Sequence, residues 1–251
     1  MRRLLDPEGR RALETALRSL SLLAFDFDGT LAAIVERPDD ARVTRAVSER
    51  LARLTRLRPV AIVTGRSVAD VGPRLGFEPQ FVVGSHGAED PGWAYGLDVS
   101  CLDGLRTHLA AQFDELDALG IRVEDKLYSL ALHYRLAPDP GQALARIEAL
   151  LAGLDPKLRS FGGKCVVNVV LAGAPDKGDA VVSLVRRTGC ASVVFVGDDL
   201  NDEAVFARAS PNWVTVRVGR DGPRSRAGFF LDSHAEVEAL LDVMLDQLRA
   251  C

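Results

Sequence analysis

The stretch Leu22-Leu23-Ala24-Phe25-Asp26-Phe27-Asp28-Gly29-Thr30-Leu31 constrains the fold more than any other in the chain. An apolar run of strand type leads into two aspartates on alternate positions, and Gly29 then turns the chain away. Alternation along a strand puts Asp26 and Asp28 on one face and Phe25 and Phe27 on the other. Where such a strand frays into its turn, that face opens and two carboxylates converge on one small volume. Like charges so close require a metal cation, a shared proton or a phosphorylated state. Asp-Gly alone is an ordinary turn signal; D-x-D-G-T directly after an apolar strand points beyond it.

The same arrangement recurs late in the chain. Ser192-Val193-Val194-Phe195-Val196 reads as a buried strand, and Gly197-Asp198-Asp199-Leu200-Asn201-Asp202-Glu203 follows it. Acidic residues at the start of a helix also suit its dipole. Coupled to the first aspartate pair, however, a second carboxylate cluster favours a hard cation such as Mg²⁺, which takes one or two protein carboxylates together with phosphate oxygens.

Between these clusters the pattern is strand, helix, strand. Residues 7–20 form an amphipathic helix, and Asp39 or Asp40 is the expected cap of the next. That next helix is marked by Val43, Ala46, Val47, Leu51, Leu54 and Leu57 at helical spacing. Val60-Ala61-Ile62-Val63 is a buried strand, and strand-helix-strand implies a right-handed crossover and a parallel, doubly wound sheet. Thr64-Gly65-Arg66-Ser67 sits at the junction to the following helix, where a hydroxyl, exposed backbone N–H groups and a helix N-terminus suit a phosphate. A third strand, Phe81-Val82-Val83, ends in Gly84-Ser85-His86-Gly87, which places His86 and Gly87 among the candidate substrate contacts.

From about Leu97 the texture changes to two helical stretches and four strands linked as hairpins, an α+β unit inserted into the parallel domain. The expected organisation is core residues 1–96, an inserted domain over 97–172, and core residues 173–251. Asp176-Lys177-Gly178 opens the helix that resumes the parallel pattern. Trp213–Val218 is a further strand, Gly219–Gly228 a loop, and the final helix from about Ala235 to Leu248 is read as packing only.

The formal charge of −4 gives no electrostatic reason to expect nucleic acid or an anionic membrane. No apolar run approaches a bilayer span, and no long apolar segment follows Met1-Arg2-Arg3, so neither a membrane anchor nor a secretory signal is expected. Cys101, Cys165, Cys190 and Cys251 form no C-x-x-C pair and read as reduced thiols of a cytoplasmic protein. A monomer acting on a small molecule is the expectation. Only four of the 31 basic residues are lysines: Lys126, Lys157, Lys164 and Lys177. A chain that otherwise uses arginine keeps lysine where a compact point charge is wanted.

D-x-D-G-T, T-G-R, the lysine at Lys177 and G-D-D-x-x-D-E, in this order, resemble the motifs of the haloacid dehalogenase superfamily. That resemblance implies a Rossmann-like core, Asp26 as nucleophile, Asp28 as general acid/base, and Thr64 and Lys177 as holders of the transferring oxygens. It implies Mg²⁺ held by Asp26, the Asp28 carbonyl and Asp198, with Asp202 and Asp199 in support, directly or through water and Lys177. Gly65 and Arg66 fall at the phosphate-binding motif. Glu124-Asp125-Lys126, His133-Tyr134-Arg135 and Gly163-Lys164-Cys165 in the insertion, with G-S-H-G, narrow the resemblance to trehalose-6-phosphate phosphatases. In that family the insertion is a mobile cap, which implies that Glu124, Lys126, Arg135 and Lys164 reach sugar hydroxyls. Two positions depart from its pattern. Asn168 stands where Glu is usual, which leaves the second sugar less determined, and Asn201 replaces Thr. The alternatives are a phosphatase of another sugar phosphate, such as sucrose phosphate or a glycosyl-phosphoglycerate, a phosphomutase, a phospho-accepting signalling domain and a degenerate scaffold.

Overall fold

A computed structural model gives the fold, described over residues 1–35, 37–93, 96–220 and 225–250. Cys251 and part of the expected Gly219–Gly228 loop lie outside the described residues. The chain divides into two compact units, Met1–Gly92 with Pro175–Cys251, and Trp93–Ala174.

In the first unit the strands are β1 (Arg2–Arg3), β2 (Ser21–Phe25), β3 (Val60–Val63) and β4 (Phe81–Val83), and, from the far part of the chain, β9 (Ser192–Gly197), β10 (Val214–Val218) and β11 (Phe229–Leu231). All pair in parallel, in the order β1-β11-β10-β9-β2-β3-β4. Every residue of β2, β3 and β9 is buried, because helices cover both faces of the sheet. Leu23, Phe25, Val194 and Val196 face a core shared with α1 (Pro7–Arg18), α2 (Arg45–Leu54) and α9 (Val237–Ala250). Leu22, Ala24, Val193 and Phe195 face the opposite core with α7 (Lys177–Thr188) and α8 (Glu203–Ala207). From β2 the chain moves to β3 on one side; from β9 it moves to β10 on the other. The carboxyl ends of β2 and β9 therefore border a topological switch point, where open α/β sheets hold ligands.

Two local expectations change. The α2 cap is Thr44, whose hydroxyl accepts the Val47 N–H at 3.2 Å, and not Asp39 or Asp40, which lie in a single 3₁₀ turn, Pro38–Asp40. The short strands β1, at the sheet edge, and β11 beside it were not expected; two or three residues are too few for any periodicity to register.

The second unit is a four-stranded antiparallel sheet of β5 (Arg122–Asp125), β6 (Ser129–His133), β7 (Leu158–Gly163) and β8 (Val166–Leu171), in the order β5-β6-β8-β7. One face, carrying Leu130, Leu132, Val167 and Val169, packs on α4 (Asp103–Ala111), α5 (Phe113–Ala118) and α6 (Pro140–Leu151). Among the described residues no helix is long and apolar enough to cross a membrane.

Candidate active site

Strand β2 stops at Phe25, one residue short of the first aspartate. The Asp26 N–H still continues the ladder to Val196 O at 2.9 Å, but the next residues coil tightly. The Phe27 carbonyl accepts from the N–H groups of Thr30, Leu31 and Ala32, and Gly29 closes the turn at φ +77°. A Cβ on Gly29 would stand 2.2 Å from Asp198 Oδ2, so the turn admits only glycine on grounds of both conformation and space. Asp28 consequently lies in the turn, not in the strand, and the two aspartates go to different partners.

Asp26 is buried and its Oδ1 accepts from the Phe27 N–H at 2.7 Å and from Lys177 Nζ at 2.9 Å. Lys177, the first residue of α7, is itself 1% exposed and also donates to Asp202 Oδ1 at 2.7 Å. Asp198, at the end of β9, accepts from the Thr30 hydroxyl at 3.3 Å. Oxygens of Asp26, Asp198 and Asp202 all lie within 4.8 Å of one another, and all three residues are buried. Burial pushes the Asp26 carboxyl well above the ordinary carboxylate range; Lys177 opposes the shift, and Asp202 and Asp198 add to it. For Lys177 burial favours the neutral amine, but Asp202 and Asp26 outweigh it and hold the ammonium above its ordinary range.

The donor set fits a hard divalent cation. Three buried carboxylates around one ammonium leave two negative charges in excess, and oxygen ligands of this kind suit Mg²⁺. Both oxygens of Asp202 are engaged within the protein, one by Lys177 and one by the Asp199 N–H at 2.9 Å. The Asp199 carboxylate stays outside the three-residue cluster and accepts from the Leu200 N–H at 2.8 Å. The Asp28 carboxylate is outside it too, because Arg66 grips it through Nε–Oδ2 and Nη2–Oδ1, both at 2.8 Å.

At the end of β3, Thr64 is fully buried, and its hydroxyl accepts the Arg66 N–H at 3.1 Å. Gly65 passes against the imidazole of His86, where a Cβ would come within 2.4 Å of Cε1. His86 holds a left-handed backbone at φ +59°, and Ser85 before it φ +48°, positions that cost a non-glycine residue about 1–3 kcal/mol. The His86 N–H donates to Thr64 O at 2.9 Å, which ties the β3 and β4 loops together. Its Nδ1 lies 3.4 Å from the Asn201 amide, and Gly87 turns against the Asp176 carbonyl. Candidates from four loops thus gather at one end of the parallel sheet. Sequence reading gave no role to Thr30 or Asn201 here; the threonine of D-x-D-G-T was the one available signal for the first.

Within the second unit, strand register puts Glu124, Ala131, Asn168 and Phe161 in one row on the sheet face opposite its helices. Glu124 accepts from His133 Nε2 at 2.8 Å and pairs with Lys126 Nζ at 3.4 Å. Burial works against its ionised form, but His133 and Lys126 prevail and hold the carboxyl below the ordinary range. His133 was quoted with its neighbours in sequence but given no part. Lys164 lies in the turn between β7 and β8, and its carbonyl accepts from Arg135 Nη2 at 3.1 Å. Asn168 is buried at the middle of β8.

A family model described as Trehalose-phosphatase matches residues 24–233. The chain is 35% identical over 244 residues to a trehalose-phosphate phosphatase of Mycolicibacterium paratuberculosis, covering 90% of this chain and 62% of that protein. It is 33% identical over 240 residues to a trehalose-phosphate phosphatase of Mycobacterium marinum, covering 89% and 61%. The chain therefore spans about three fifths of the length of these relatives. The C-terminal domain of a C. albicans trehalose-6-phosphate phosphatase superposes with a TM-score of 0.80 at 21% identity, over 95% of this chain and 97% of that one, a likeness of fold.

Proposed function

The chain belongs to the trehalose-phosphatase family, and from that premise we propose that it hydrolyses trehalose 6-phosphate to trehalose and phosphate with Mg²⁺ as cofactor. The observation that carries the reading is the buried Asp26, Asp198, Asp202 and Lys177 cluster at the switch point of the sheet. The named activity of the relatives supports the substrate class.

A phosphomonoester is a dianion, and a carboxylate attacks it only where positive charge and fixed donors offset the repulsion. Asp26, Asp198 and the Asp28 carbonyl would hold Mg²⁺, which would supply the positive charge that offsets this repulsion. Asp26 attacks phosphorus and forms an aspartyl-phosphate while the sugar oxygen leaves. Asp28 gives that oxygen its proton, then takes a proton from the water that opens the aspartyl-phosphate and returns Asp26. Lys177 favours the ionised form of Asp26 and aims it, and its α7 N-terminus, Thr64 and the Gly65 N–H receive the transferring oxygens. Asp202 holds Lys177. In the second unit Glu124, Lys126, Arg135, Lys164 and Asn168 contact sugar hydroxyls, each of which can donate and accept. Asn168 suits a hydroxyl without adding charge.

The test is free-phosphate release with Mg²⁺ from trehalose 6-phosphate, sucrose 6-phosphate, glucose 6-phosphate and glucosyl-3-phosphoglycerate. Preference for trehalose 6-phosphate, abolished by EDTA and by Asp26→Asn, is the expected result. Preference for another member moves the substrate assignment, and no release from any of them rejects the phosphatase reading.

A further inference from the structure

We propose that Arg66 is a positioning residue that holds the Asp28 carboxylate in place for proton transfer, rather than a ligand of the substrate phosphate. The proposal rests on the phosphatase reading, and it departs from the substrate-binding part that the sequence suggested for this arginine.

Four of the five N–H groups of the Arg66 guanidinium are taken inside the protein. Nε and Nη2 form a two-pronged grip on Asp28, both at 2.8 Å; Nη2 also donates to the Pro38 carbonyl at 2.8 Å, and Nη1 donates to Asp70 Oδ2 at 2.7 Å. The guanidinium lies over the Phe27 ring, 5.2 Å from its centroid, and the side chain is only 9% exposed. To grip a phosphate with two N–H groups it would have to give up at least one of these partners, and the Nε–Nη2 edge is held by Asp28.

The far side of the grip is anchored in turn. Asp70 Oδ1 accepts from Arg74 Nε at 3.0 Å and Nη2 at 2.5 Å, and Arg74 reaches Asp39 Oδ1 at 3.2 Å and the Asp39 carbonyl. Arg66, Asp70 and Arg74 are spaced four apart along α3 (Val68–Leu75) and the residues leading into it, so they stack on one face. Charges alternate from Asp28 through Arg66, Asp70 and Arg74 to Asp39. Burial opposes the Arg66 charge, but Asp28 and then Asp70 outweigh it and hold the guanidinium above its ordinary range.

Asp28 needs such a hold. It sits in a turn with its side chain 45% exposed, so packing does not fix its rotamer. A proton donor must nevertheless come within about 2.6–3.2 Å of the leaving oxygen. The fork uses one lone pair on each carboxylate oxygen and leaves the second available for the proton in transit. In the first step the Asp26 O–P bond forms, the P–O bond to the sugar breaks, and the Asp28 proton passes to the sugar oxygen. In the second, Asp28 accepts a proton from water as the water oxygen bonds phosphorus and the Asp26 O–P bond breaks. Both transfers use the same carboxylate orientation.

The experiment compares trehalose 6-phosphate, whose sugar oxygen needs a proton to leave, with p-nitrophenyl phosphate, whose phenolate does not. Pre-steady-state formation of the phosphoenzyme is measured for wild type, Arg66→Lys and Asp70→Asn, with melting curves alongside. The expected result is a loss of about 100-fold in the first-step rate on trehalose 6-phosphate for Arg66→Lys, within the range general acid catalysis supplies. The loss on p-nitrophenyl phosphate is at least tenfold smaller, and KM changes little on either. Asp70→Asn, which leaves Arg66 its packing, shows the same split at reduced size. A rise in KM on both substrates with the rate kept would make Arg66 a phosphate ligand and overturn the proposal. Equal rate losses on both substrates would reduce it to a structural part and also overturn it. A wild-type protein inert on both would instead reject the underlying phosphatase reading.

Discussion

Replacing Asp26 with Asn should make the metal-free protein more stable while removing its turnover. The side chains are nearly isosteric, so the change isolates one buried charge. In the wild type, Asp26 lies within 4.8 Å of Asp198 and Asp202 and 2.9 Å from Lys177. At an effective dielectric of about 20, each repulsion is about 3.5 kcal/mol and the attraction about 6 kcal/mol. The two repulsions exceed the attraction by about 1 kcal/mol, and relief of the burial cost adds to the gain. A net stabilisation of about 1–3 kcal/mol follows, or about 2–12 °C in melting temperature for a chain this size. The sign depends on pH. Because the folded-state pKa of Asp26 is raised, the folded protein retains a proton that the unfolded chain has lost, so wild-type stability falls as pH rises above 3.8 through the folded value. The advantage of Asn should therefore vanish near pH 4 and be fully developed only above the folded pKa. Thermal melts in EDTA from pH 4 to 9, repeated with Mg²⁺, measure it. Mg²⁺ should raise the wild type and largely fail to raise the variant. An Asp26→Asn protein that melts below wild type in EDTA at pH 8, or gains as much from Mg²⁺, would refute the reasoning.

Lys177→Met should abolish turnover and destabilise the metal-free protein by about 3–5 kcal/mol, since it strands buried carboxylates; urea titrations with and without Mg²⁺ check this, with partial recovery expected on adding the ion. Gly29→Ala should lose most activity and about 1–3 kcal/mol of stability, as its Cβ meets Asp198 and φ is +77°; phosphate release and a denaturant curve read both. Thr44→Ala should cost about 1 kcal/mol by removing the α2 cap, with kcat and KM unchanged. Glu124→Gln should raise KM for trehalose 6-phosphate several-fold and leave p-nitrophenyl phosphate hydrolysis alone, which steady-state kinetics on the two substrates would show.

The fold class was legible because the signals were long and redundant. The apolar runs Leu22–Phe25 and Val193–Val196, each followed by aspartates, imply a doubly covered parallel sheet. The acid cluster was legible for the same reason, since Asp26, Asp198 and Asp202 each follow a recognisable strand. What sequence could not carry was side-chain destination. Strand alternation put Asp26 and Asp28 on one face, but the strand ends at Phe25 and the turn at Gly29 redirects Asp28 to Arg66. Asp199 reads like its neighbours, yet it accepts from the adjacent N–H of the turn that it begins. Arg66 read as part of a phosphate-binding junction, and only its seat against Phe27, Asp28 and Pro38 shows where its guanidinium goes.

The pairing of β2 with β9 sets Ser21 beside Ser192 and Phe25 beside Val196, with the whole of Trp93–Ala174 strung between them. During synthesis the intervening unit, which has a hydrophobic core of its own, is complete before β9 has been made. Until then the apolar strand carrying Asp26 has one flank bare, an edge that invites pairing with other chains. Asp26 therefore meets Asp198 and Asp202 only once β9 has paired with β2. A chain interrupted between Ala174 and β9 therefore carries the whole of the second unit but lacks Asp198 and Asp202, two of the three carboxylates of the buried cluster.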